Sequence, residues 1–116
     1  MKNYDNFFFP SDDFEASKEF YSKTLGLSTK FDFSNQGMIA FKIGEEEPAI
    51  IIKDKNKFPT AQPSIWLEVE NVKIAYDALQ KKGVVFISEP FKVNTGWAVE
   101  FKDPSGNLLG ITDYDK

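Results

Sequence analysis

Two carboxylates and four aromatic rings are the side chains whose type and spacing best suit them to meet a ligand. Glu68 follows Trp66 by two residues, so in an extended segment both project from the same face. Glu100 stands three residues after Trp97 in a second extended segment, and Phe8 and Phe33 belong to two more. Rings of this kind stack on planar or cationic partners. Two carboxylates attract a cation or, when burial raises their pKa, transfer a proton. Each has a plainer explanation: the rings fill a sheet interface as core, and the acids solvate a rim. The run Glu45-Glu46-Glu47 is a solvated turn, since consecutive carboxylates on a hairpin splay apart.

The chain also lacks much of the usual chemistry. It has no His, no Cys and no Arg; all fourteen basic residues are Lys. Without His it loses the commonest general base at neutral pH and the usual imidazole ligand of transition metals. Without Cys there are no disulfides, thiolate nucleophiles or thiolate metal sites, which suits a cytoplasmic protein. Without Arg there is no planar fork for a bidentate grip on phosphate. A net charge of −4 argues against nucleic acid and mildly favours a cationic or neutral ligand. No apolar run approaches a membrane span, and the N-terminus does not read as a signal peptide. At 116 residues, 41% apolar, the sequence predicts one domain.

Two helical patterns position the candidates. In Asp13 to Leu25, residues Phe14, Ala16, Ser17, Phe20, Tyr21 and Leu25 share one arc, with Asp12 or Asp13 as N-cap and Gly26 as terminator. From Asn71 to Lys82 the arc is Val72, Ile74, Ala75, Tyr76, Ala78 and Leu79, capped by Asn71 and ended by Gly83. Strands are predicted at Asn6 to Phe9, Ser28 to Phe33, Met38 to Ile43 and Ala49 to Lys53. A second set follows at Ile65 to Val69, Val84 to Ile87, Trp97 to Phe101 and Asn107 to Thr112. Each half is therefore β-α-β-β-β, repeated at an offset of about 58 residues, giving one α+β domain over 1–116 built of modules 1–58 and 59–116. Lys55 to Pro63 is the linker, and Lys53, Lys55 and Lys57 read as solvated. Asp103-Pro104-Ser105-Gly106-Asn107 reads as a β-turn.

Alternation assigns faces. Ile65, Leu67 and Val69 turn to the helix, leaving Ser64, Trp66 and Glu68 opposite; Leu109 and Ile111 likewise leave Leu108, Gly110 and Thr112 opposite. By the repeat, Phe7 and Phe9 pack on the first helix while Asn6 and Phe8 share the other face. The strand from Trp97 to Phe101 fits either orientation. Two such faces would make a shared concavity, the place to expect a ligand.

The segments Ser11-Asp12-Asp13-Phe14-Glu15-Ala16-Ser17-Lys18-Glu19-Phe20-Tyr21, Leu25-Gly26-Leu27, Leu67-Glu68-Val69-Glu70-Asn71-Val72 and Phe101-Lys102-Asp103-Pro104-Ser105-Gly106-Asn107-Leu108-Leu109 occur in order along the chain. Together they resemble the vicinal oxygen chelate superfamily, which includes glyoxalase I, extradiol dioxygenases, fosfomycin-modifying enzymes and bleomycin-resistance proteins. The resemblance implies tandem βαβββ modules forming a cup-shaped mixed sheet, the glyoxalase/bleomycin resistance fold. Family enzymes hold a divalent metal at positions that fall here on Asn6, Ile51, Ser64 and Gly110. An amide, a hydrocarbon, a hydroxyl and a bare backbone are poor donors, so neither a metal nor another cofactor is expected.

The resemblance to bleomycin-resistance proteins in size, acidity and missing ligands implies a metal-independent, homodimeric binding protein. It would sequester, or give tolerance to, an amphipathic or cationic compound, with antibiotic resistance as the model role. Its ligand would meet Asn6, Phe8, Phe33, Ile51, Ser64, Trp66, Glu68, Trp97, Glu100 and Gly110. The second reading is an enzyme of the same superfamily, lyase- or isomerase-like, using Glu68 or Glu100 without a metal. The third is an interaction module.

Overall fold

The computed structural model describes residues 1, 3–45 and 49–114. Among them lie eight strands and two α-helices, in two compact units: Asn6–Pro63, and Ser64–Lys116 together with Met1–Asp5. Of the acidic run, Glu46 and Glu47 lie outside the described residues.

In the unit Asn6–Pro63 the strand order is β2 (Ser28–Phe33), β3 (Met38–Lys42), β4 (Ala49–Asp54), β1 (Asn3–Ser11). The first two pairings are antiparallel, and β1 lies parallel to β4 with Phe8 opposite Ile51. Helix α1 (Phe14–Glu19) starts where predicted, the Ala16 N–H donating to Asp13 Oδ1 at 3.2 Å. Its second half departs from the prediction. Phe20–Thr24 is a π-helical turn, with the Leu25 N–H reaching the Phe20 carbonyl at 2.9 Å. Five residues per hydrogen-bonded ring break the 3.6-residue wheel. Phe20 and Leu25, expected on the buried arc, are consequently about half exposed, at 48% and 51%. Tyr21 instead stacks on Phe41, centroids 5.5 Å apart, in a core of Phe14, Ile39, Phe41 and Ile52.

In the second unit the order is β5 (Ser64–Glu68), β8 (Leu108–Thr112), β7 (Gly96–Lys102), β6 (Phe91–Val93). Again the first-entering strand is parallel to the last, with Trp66 opposite Gly110. Helix α2 (Val72–Lys81) is capped by Asn71, whose Oδ1 accepts from the Ile74 N–H at 3.0 Å. It buries Val72 fully and Ala75, Tyr76 and Leu79 partly against Val69, Val99 and Ile111. Ile74, assigned to the buried arc, is 69% exposed.

The predicted strand Val84 to Ile87 does not form. That segment makes one bridge, Phe86 to Phe101, and the Ile87 N–H donates to the Glu100 carbonyl at 3.0 Å. The edge strand is β6 instead, because the Asn94-Thr95 turn folds Val93 back onto Gly96 and carries Phe91 opposite Ala98. Pro90 lacks an N–H and interrupts pairing just upstream.

Candidate functional site

Backbone register decides which candidates share a surface. In the second unit the helix side carries Ile65, Leu109 and Phe101 in one row and Leu67, Ile111 and Val99 in the next. The opposite side carries Trp66, Gly110 and Glu100 in one row, with Glu68, Thr112, Ala98 and Phe91 in the next. Ser64 lies opposite Leu108, one step further along. Trp97, Val99 and Phe101 pack with the helix-side core, which fixes the strand direction left open by the sequence. Trp97 is thus set apart from the face that carries Trp66 and Glu100. Its ring lies under Lys73 Nζ of α2, 3.8 Å from the centroid, with Lys92 Nζ at 5.5 Å.

The contact between Trp66 and Gly110 shapes this face. A Cβ built on Gly110 would lie 2.6 Å from Trp66 Cε3, and closer still to Cδ2 and Cε2. No real Cβ packs so tightly, so the six-membered ring of the indole lies flat on the bare backbone of β8. Trp66 is 8% exposed, and Gly110 is buried beneath it. Glu100 flanks the same glycine from β7. Glu68 and Glu100 are separated by one intervening strand and by two residues along the strands. That separation is about 12 Å between backbones, and side chains stand off the sheet roughly in parallel, so the two carboxyls do not share a proton directly.

In the unit Asn6–Pro63 the face away from α1 is apolar. Ala40, Ala49 and buried Ile51 form its floor, with Phe8, Phe31 and Met38 packed against them. Phe33 is 46% exposed beside Phe31, ring centroids 4.9 Å apart. Asn6 lies opposite Ala49, two residues before Phe8. Lys53, read from sequence as simply solvated, lies on this face: its Nζ is 4.7 Å from the Phe8 ring centroid and 4.9 Å from that of Phe58. Lys57 is also engaged, its side chain filling the space above Gly37 and its Nζ donating to the Asn35 carbonyl.

The four positions that the sequence resemblance assigns to a metal carry few donors. Ile51 and Gly110 bring no donor, and Asn6 and Ser64 bring only a neutral amide and hydroxyl. The indole further denies position 110 any side chain at all. Among the described residues, no three of His, Cys, Asp and Glu cluster to hold an ion.

One polar device escaped the sequence reading. The Asp113 side chain is buried, its Oδ2 accepting from the Val72 N–H at 2.7 Å and its Oδ1 from the Trp97 N–H at 2.9 Å. It joins the first turn of α2 to the start of β7. Only its place directly after the last strand signals it in sequence. Asp103 does what the turn motif predicts: Asn107 donates to it from both Nδ2 and N–H at 2.8 Å. These bonds, the side-chain one foremost, hold its pKa below the usual aspartate value.

Comparison with known proteins agrees with this topology. Residues 4–111 match the family profile described as Glyoxalase/Bleomycin resistance protein/Dioxygenase superfamily. The uncharacterized protein YraH of Bacillus subtilis (strain 168) is 29% identical over 118 residues, covering 85% of this chain and 88% of that protein. Two solved structures share the fold. A superfamily member from Vibrio splendidus 12B01 has TM-score 0.71 and 14% identity, covering 92% of this chain and 95% of that one. Methylmalonyl-CoA epimerase from Mycobacterium tuberculosis has TM-score 0.73 and 15% identity, covering 98% and 89%. With the profile spanning nearly the whole sequence and both βαβββ units in place, the chain belongs to the glyoxalase/bleomycin resistance protein/dioxygenase superfamily.

Proposed function

We propose that the protein is a metal-independent binder of a small amphipathic or cationic organic compound, acting by sequestration or tolerance rather than by turnover. The observation that carries this reading is the indole of Trp66 lying on Gly110. A superfamily position that would supply a carboxylate to a metal is here the bed of an aromatic ring. What remains around it is suited to attracting positive charge, with Glu100 and Glu68 on the same face. The unit Asn6–Pro63 has an apolar face of its own, with the exposed ring of Phe33 beside Phe31. The likeness to the epimerase is one of fold and lends no substrate. The protein would work in the cytoplasm as a homodimer, a two-fold partner covering the end strands β2 and β6.

A thermal-shift panel of cationic glycopeptides and planar amphipathic compounds tests the reading. A ligand at 100 times its dissociation constant should add about 2.7 kcal/mol of stability. Trp66→Ala should remove the response. A panel without any stabilising compound would count against binding as the role.

Catalysis stays as a second reading for one reason: Glu100 lies directly across from Gly110, on the face that carries Trp66. Glu100→Gln that abolishes turnover of a bound compound, while leaving its affinity intact, would favour it. Loss of affinity without any measurable turnover favours binding.

A further inference from the structure

Trp97, a candidate ligand contact in the sequence, lies on the helix side of its unit with two ammonium groups against its ring. We propose that Lys73 and Lys92, gathered at this indole, form a second binding site, which takes the phosphate group of a small phosphate monoester. The site is separate from the face that carries Trp66 and Glu100, and it goes beyond the binding function assigned to that face.

Two elements deliver the lysines independently. Lys92 of β6 is registered directly across from Trp97 of β7, so the two side chains leave the sheet on the same side. Lys73 belongs to the first turn of α2 and brings its Nζ to 3.8 Å from the ring centroid, with Lys92 Nζ at 5.5 Å. The indole itself packs against the core of Val69, Val72, Val99 and Ile111, which fixes the ring to which both cations are drawn. Both lysines are otherwise exposed, so an incoming anion reaches them.

The ring answers the charge of these groups but not their hydrogen-bonding capacity. Each ammonium carries three N–H donors, and an aromatic face offers them no oxygen. Among the described residues, neither the Lys73 nor the Lys92 ammonium donates to an oxygen or pairs with a carboxylate. Asp77 lies one turn along α2 from Lys73, and Glu89 precedes Lys92 in sequence, yet neither forms an ion pair with them. Asp113 does belong to this corner of the unit. It is buried, however, and its two oxygens accept from the Val72 and Trp97 backbone N–H groups. Two positive charges thus meet at one ring with no carboxylate paired to either.

A phosphate monoester fits both properties. It carries about two negative charges at neutral pH and three strong acceptor oxygens. A carboxylate brings one charge and two oxygens, so it answers the pair less completely. With no Arg in the chain, the grip is by point charges rather than by a planar fork, and lysine serves phosphate in that way.

Methyl phosphate, inorganic phosphate and acetate, titrated at constant ionic strength into isotope-labelled protein, test the assignment by NMR. The reporter is the indole N–H cross-peak of Trp97, identified by its loss in Trp97→Phe. Methyl phosphate should move it saturably, with a dissociation constant lower than that of acetate by on the order of tenfold. Lys73→Gln and Lys92→Gln should each weaken methyl phosphate by on the order of tenfold, the increment of one charge-assisted contact. Lys73→Arg should retain binding, and Lys81→Gln at the far end of α2 should leave it unchanged. The remaining cross-peaks report that each variant is folded. Equal dissociation constants for methyl phosphate and acetate, or binding that survives in Lys73→Gln/Lys92→Gln, would overturn the site. Binding of inorganic phosphate alone would overturn its assignment to a monoester. Either failure leaves the reading of the Trp66 face standing.

Discussion

At the scale of single residues, the tightest constraint is at Gly110. Adding one methyl there forces the indole of Trp66 away from β8. Gly110→Ala should therefore destabilise the protein by about 1–3 kcal/mol, the usual penalty for overpacking a close contact. Chemical denaturation would measure it. The double variant Trp66→Leu/Gly110→Ala should lose less than the sum of its parts, because the clash needs both groups. Asp113 is the second such residue. Its carboxylate takes two backbone N–H groups in the interior, so Asp113→Ala leaves both without their acceptor and should cost about 2–4 kcal/mol. Asp113→Asn keeps one acceptor oxygen and should cost less. Little or no loss in Asp113→Ala would show that the junction of α2 and β7 does not depend on these two bonds.

At the scale of elements, turns and helix ends explain themselves better than helix faces do. The Asp103–Asn107 turn makes a testable case of pH dependence. Asp103 has a lowered pKa in the folded chain, so its contribution to stability is complete above the ordinary aspartate value. It is lost as pH falls through the lowered value, in the acid range below about 4. Replacing Asn107 by Ala should raise the Asp103 pKa toward the ordinary value in a side-chain carboxyl NMR titration. On α2, Ile74→Ala should change stability by less than about 0.5 kcal/mol, as expected for a side chain 69% exposed, whereas Val72→Ala at a fully buried position should cost well over 1 kcal/mol.

The same contrast separates what the sequence discloses from what it hides. Caps at Asp13 and Asn71 and terminators at Gly26 and Gly83 are local chemistry and can be read directly. The wider turn at Phe20–Thr24 cannot, because no local signal marks it and it accompanies the stacking of Tyr21 on Phe41, a partner twenty residues away. The edge strand was misplaced for a related reason. Val84 to Ile87 has strand-forming residues, but pairing propagates from the Asn94-Thr95 turn and reaches Phe91–Val93 first. Strand alternation gives the faces of the candidate residues, Trp97 excepted, whose strand fits either orientation in sequence. The site's defining contacts, indole on glycine and ammonium between two phenyl rings, depend on rotamers that spacing does not encode.

At the scale of the whole molecule, superfamily membership and the residues at the metal positions point in different directions. The profile's description joins glyoxalases, dioxygenases and a resistance protein, while the side chains at Asn6, Ile51, Ser64 and Gly110 are poor metal donors. The proposed metal independence predicts that a chelator leaves the melting temperature unchanged. Zinc, manganese or nickel at modest excess should not raise it, because nothing in the folded state would bind the ion in preference to the unfolded chain. A melting temperature that climbs with one metal and returns on chelation would refute it.

The indole resting on bare backbone also acts as a one-way latch in sequence space. A donor side chain cannot return at position 110 while the large ring stays, since every L-residue other than glycine carries the offending atom. Shrinking residue 66 first would open a void and forfeit packing, with no ion yet to compensate. Both intermediate steps are losses, so placing any side-chain donor at position 110 needs two changes at once. Relatives carrying this pair should keep it or change it in concert, and a library screened for folded variants with a side chain at position 110 should yield them only when residue 66 varies as well.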